Sequence, residues 1–112
     1  IKESDWKIFR QLLPLALDRF CALILSEVDE IQADETTTRH EKYVGIFHII
    51  RRRNEEMALV FDDPRRSKAL MQLTALRARR LVTDEEFARF SEETRNIIHT
   101  ILSHQVRQDT AE

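Results

Sequence analysis

Arg51, Arg52 and Arg53, followed by Asn54, Glu55 and Glu56, form the densest run of chemistry-bearing side chains in this 112-residue sequence. Three guanidiniums sharing one surface would hold a phosphate or a carboxylate. On a helix, however, neighbours in sequence diverge by about 100°, so the three cannot form one patch. Arg52 faces away from the apolar stripe of its helix, Arg51 and Arg53 flank that stripe on opposite sides, and the two glutamates stand within pairing distance. The run therefore reads as a solvated, self-paired face. A wider anion site would recruit Arg65, Arg66 and Lys68, at a helix start where free amides attract anions, together with Arg52, Arg79 and Arg80. Against it, no glycine-rich loop precedes that helix, and Asp62 and Asp63 crowd the same end with negative charge.

Two polar residues fall on apolar stripes, where burial without a partner is costly. Glu27 lies among Phe20, Ile24 and Ile31, and Asn54 lies at the centre of the stripe of the following helix. Inward carboxylates serve metal centres in some helical bundles, but those use Glu-x-x-His spacing, which occurs nowhere here. The expectation is a structural polar core in which Glu27 meets Arg66 or Arg77 and Asn54 fixes register or oligomeric state. His40, His48, His99 and His104 are dispersed, and the five-residue step between the last two does not stack them as a zinc pair would. Cys21 has no histidine in a neighbouring turn and reads as a small core side chain. Ser91 and Thr94 read as small polar residues that allow close helix approach. No catalytic residue, cofactor or metal is expected.

The elements that position these residues are legible from their start signals. Thr38 with Glu41 and Thr83 with Glu86 have the spacing of a capping box. Asp62-Asp63-Pro64 offers an acidic cap with proline at the first helical position, and Ser4 or Asp5 would open the first helix. With one glycine and two prolines in the chain, β-turn material is scarce. The predicted fold is all-α: an up-and-down bundle of about four helices, near residues 4–34 (kinked at Pro14), 38–61, 64–81 and 84–107, in a single domain spanning 1–112. The expected buried stripes are Trp6 to Ile31 in the first helix, Tyr43, Ile46, Phe47, Ile50, Met57 and Phe61 in the second, and Phe87, Phe90, Ile97, Ile98, Ile101 and Leu102 in the fourth. The third has the weakest pattern, with Arg66 and Arg77 in line with Leu70, Leu73 and Leu81. The segment LVTDEEF resembles a local pattern at the ends of small bacterial helical domains; the resemblance implies a capped hairpin and no activity.

Charge narrows the function classes. The net charge of -2 argues against a constitutive nucleic-acid binder. Residues 1–35 carry four Lys/Arg against eight Asp/Glu, residues 51–80 nine against four, and residues 81–112 three against seven, so a basic middle is flanked by acidic ends. The helix opened by Thr83 begins with Asp84, Glu85 and Glu86, which phosphate would repel from a DNA groove. No apolar run is long enough for a membrane span, IKESDWK does not read as a secretory signal, and a single cysteine excludes an intramolecular disulfide. A cytoplasmic location is expected. Ile8, Leu15, Leu25, Leu59 and Met71 point away from a single seam and call for a partner surface. The functional expectation is a non-enzymatic module for protein–protein interaction, self-associating as a homodimer or larger homo-oligomer. The alternative is a nucleic-acid-associated regulator using segment 51–80.

Overall fold

The structure, a computed structural model, describes residues 1–111, with side chains through Arg107. It is all-α. The helices are α1 (Glu3–Ala33), α2 (Arg39–Phe61), α3 (Arg66–Ala78), the single turn α4 (Asp84–Phe87) and α5 (Glu92–Ala111). Both capping boxes form: Thr38 accepts from the Glu41 amide at the start of α2, and Thr83 from the Glu86 amide at the start of α4. α1 runs unbroken through Pro14. Proline removes the bond to the Arg10 carbonyl, but both residues lie on the exposed side of the helix, so that carbonyl is not left in a dry core.

Three boundaries differ from the sequence expectation, each for a local reason. Pro64 does not open α3. Asp63 instead takes a left-handed conformation with φ 49°, which aspartate tolerates better than most residues, and the helix starts at Arg66. α3 then stops at Ala78 because Arg80 is also left-handed, φ 59°, and the Leu81 amide bonds back to the Leu76 carbonyl at 3.0 Å. This is the usual glycine-type helix stop, made here with arginine. The last predicted helix, 84–107, is divided at residues 88–91. Ser91 starts a new helix there, its hydroxyl accepting from the Thr94 amide.

The core is one cluster: Trp6, Phe9, Leu12, Ala16 and Phe20 of α1, Val60 of α2, Ala69, Leu73 and Leu76 of α3, then Leu81, Val82, Phe87, Phe90 and Ile98. α3, the helix with the weakest pattern, lies at its centre. It is rotated from the predicted stripe so that Ala69, Gln72, Leu73 and Leu76 face inward, which moves Arg66 and Arg77 to the margins. Arg66 pairs with Glu3 at one end of α3, and Arg19 bonds the Leu81 carbonyl just past the other. α3 therefore runs alongside the first half of α1 in the same direction. α2 runs the opposite way, and Ser91 brings the start of α5 to Asp5.

All of this packing occurs at one end of the α1–α2 pair. The other end projects from it as a two-helix arm about 20 Å long, from the rise of 1.5 Å per residue over the last turns of α1. The radius of gyration is 16.9 Å and the extents are 52 × 35 × 24 Å. A compact chain of this length would have a radius near 13 Å.

Candidate interaction surface

Between Phe20 and Val60 no residue is buried, although this stretch contains Ile24, Leu25, Val28, Ile31, Tyr43, Ile46, Phe47, Ile49, Ile50 and Met57. What the two arm helices show each other is a narrow seam. The Lys42 ammonium donates to the Gln32 carbonyl at 2.7 Å, Gly45 faces Ile31, and Arg53 bonds Glu27. The seam on α2 is therefore Lys42, Ile46, Ile49, Arg53 and Val60, one step round from the predicted stripe. A Cβ at Gly45 would lie 3.5 Å from the Ile31 side chain, an ordinary van der Waals contact, so the approach of the helices near the tip does not depend on glycine.

Helical geometry decides which side of the arm is left bare. A turn of about 100° from the seam in the direction of increasing residue number reaches Tyr43, Phe47, Ile50 and Asn54 on α2. The same turn on α1 reaches Leu17, Cys21, Leu25 and Val28. Because the helices are antiparallel, equal turns arrive on the same side of the pair. The opposite side carries Ala16 and Arg19 of α1 and Glu56 of α2, which meet α3 and the residues after it. The bare side is thus continuous and apolar, with Leu25, Tyr43 and Phe47 all more than half exposed. Asn54, expected in a polar core, lies on this bare side and is exposed.

A relay of ion pairs fixes the arm to the rest of the molecule. Arg53 donates through Nε to Glu27 Oε1 at 2.8 Å and through Nη1 to Glu56 Oε2 at 2.8 Å, and Glu56 Oε1 accepts from Arg79 Nε at 2.7 Å. Burial would raise the Glu56 carboxyl, but hydrogen bonds from Arg79 and Arg53 outweigh it and hold it below the usual range. Glu27 thus meets an arginine, but from the Arg51–Arg53 run and not Arg66 or Arg77. Those two were out of reach because α3 never climbs to the level of Glu27. Arg66 pairs with Glu3, and Arg77 donates to the Val82 carbonyl and to Asp84 while lying 4.5 Å from the centre of the Phe87 ring.

Two sites escaped the sequence reading. Asp5 is 1% exposed, and its carboxylate accepts from the Ser91 amide at 2.8 Å, the Ser91 hydroxyl at 2.6 Å and the Thr94 hydroxyl at 2.8 Å. Burial raises its pKa, and the Ser91 and Thr94 hydrogen bonds together pull it below the ordinary value. The available signal was Ser91-Glu92-Glu93, a helix start with an acidic first turn. Arg19 makes a bidentate pair with Glu86 at 2.7 and 2.9 Å. That hydrogen bonding takes Glu86 from an ordinary 4.5 to about 2.

The candidate anion contacts do not converge. Arg52 lies 3.8 Å from Glu27, Arg65 pairs with Asp63, Lys68 is 3.6 Å from Asp63, and Arg66 and Arg79 are held by Glu3 and Glu56. Arg80 lies beside Arg77 and Asp84 at the α3 stop. An open groove of about 430 Å³ between α3 and α5 is lined by Leu70, Met71, Ala75, Ala78 and Ile101, but the Thr74 hydroxyl at its floor is spent on the Leu70 carbonyl. Among the described residues no three His, Cys, Asp or Glu side chains are grouped to hold a metal ion, and no helix is long and apolar enough to cross a membrane. Compared with known proteins, the chain matches no family model, no curated protein and no solved structure.

Proposed function

We propose that the protein is a non-enzymatic helical interaction module that binds a protein partner through the bare side of the α1–α2 arm. One observation carries this reading: a two-helix arm rich in large apolar side chains fully buries none of them between Phe20 and Val60 and leaves Leu25, Tyr43 and Phe47 more than half exposed. Contiguous exposed apolar surface of this kind belongs to interaction sites, and isolated two-helix segments are marginal in water. The consumption of Arg52, Arg65, Arg66, Lys68 and Arg79 in local ion pairs supports a protein partner over nucleic acid, since phosphate would have to displace carboxylates already in place. The lone, half-buried Cys21 fits a reducing cytoplasmic setting.

The test is site-specific photo-crosslinking in source cells, with a benzophenone-bearing phenylalanine analogue at position 47 and, as control, at position 85. Discrete crosslinked protein from position 47 alone supports the reading, whatever the partner. Equal, diffuse labelling from both positions overturns it.

A further inference from the structure

We propose that the partner on the bare side of the arm is a second copy of this chain, placed by a two-fold axis running along the arm. This rests on the interaction reading above and adds the identity and orientation of the occupant. The argument comes from charges left unused along the two edges of the bare side. On the α1 edge, Asp18 and Asp29 form no ion pair among the described residues. On the α2 edge, Arg51 forms none. The α1 edge is acidic, and Arg51 is, among the described residues, an unpaired cation on the α2 edge.

Two symmetric arrangements bring two bare sides face to face. A two-fold axis across the arm lays α1 on α1 and so sets acid edge against acid edge. An axis along the arm lays α1 of one copy over α2 of the other, so that each acid edge meets the edge that carries Arg51. The levels agree as well. Glu27 bonds Arg53, Asp29 is two residues beyond Glu27, and Arg51 is two residues before Arg53, so Asp29 and Arg51 stand at the same height along the arm. In the second arrangement Asp29 of each copy faces Arg51 of the other, twice over. The α3–α5 portion of each copy lies on the outward side and does not obstruct contact. The product is a four-helix bundle whose interior is formed by Leu17, Leu25, Tyr43, Phe47 and Ile50. An isologous interface requires a self-complementary patch, and the matched placement of Asp29 and Arg51 is the reason to name a second copy in place of an unrelated protein.

Sedimentation equilibrium of the intact chain across the micromolar range is the test, with four single variants and one double variant. The wild-type chain should be dimeric. Phe47→Glu should be monomeric, whereas Leu59→Glu, at a still more exposed position but on the other side of α2, should remain dimeric. Asp29→Arg and Arg51→Asp should each weaken the dimer by roughly threefold to fivefold, as rim pairs do, and the combined variant should recover most of that loss because the pair is restored with its signs exchanged. A wild-type chain that stays monomeric throughout overturns the self-association, as does a dimer indifferent to Phe47→Glu. Charge variants that fail to rescue one another overturn the orientation. If the chain is monomeric and position 47 nevertheless crosslinks a different protein, the interaction module stands and the second copy does not.

Discussion

Asp5 shows how a residue near one end of the chain acquires a role only through residues near the other. Its carboxylate gathers the amide and hydroxyl of Ser91 and the hydroxyl of Thr94, so truncation leaves buried donors without an acceptor. Asp5→Ala should cost about 2–3 kcal/mol, measured by urea denaturation. The carboxylates also set an acid limit. Asp5, Glu56 and Glu86 all have folded pKa values below their ordinary ones; a group depressed in this way contributes stability above its unfolded pKa and loses it as pH falls through the folded one. For Glu86 that window runs from 4.5 down to about 2. Urea midpoints should therefore fall steadily as pH is lowered through this window, and Arg19→Gln should flatten the slope. At this scale the sequence disclosed that Glu27 requires a partner but not which one. Partner choice depends on helix rotation, and an arginine run offers three partners pointing in three directions.

At the scale of the element, the capping boxes of Thr38 and Thr83 were the most legible features, because each is a local contract between residues three apart. The looser signals at Ser4, Asp5 and Asp62-Asp63-Pro64 did not mark the helix starts at Glu3 and Arg66. Helix rotation was less legible. The stripe of Tyr43, Phe47, Ile50 and Met57 is the most apolar on α2, yet the seam with α1 is formed by Ile46, Ile49, Arg53 and Val60, since those are the residues that the short connection between the helices turns inward. If the second copy docks as proposed, the sequence stripe and the seam are both interior, one between chains and one within a chain. Pro14 offers a separate test on α1. It occupies an exposed position inside an unbroken helix, so Pro14→Ala should restore the bond to Arg10 and raise stability by about 1–3 kcal/mol, less whatever the unfolded chain gains in freedom. A rise of several degrees in thermal midpoint would show it; a fall would mean that proline at this position is required by packing.

Over the whole molecule, the all-α class followed from one glycine and two prolines in 112 residues, but the division into base and arm did not. A repeating pattern says which residues want burial and leaves unsaid whether the same chain provides it. The division predicts uneven protection. In dilute solution the amides of residues 24–33 and 39–50 should exchange orders of magnitude faster than those of α3, and hydrogen-exchange mass spectrometry should show that difference shrink as protein concentration rises. Uniform protection at all concentrations would remove the distinction. The contact of Asp5 with Ser91 and Thr94, 86 and 89 positions away, also has a consequence in time. Closing so long a loop carries a large entropic cost before any reward, so α3 and its local neighbours should assemble first and this junction last. Asp5→Ala should therefore leave the refolding arm of a stopped-flow chevron almost unmoved and steepen the loss on the other side, with unfolding accelerated by most of the measured destabilisation. The junction is then a clasp that governs how long the folded chain lasts, and has little say in how quickly it forms.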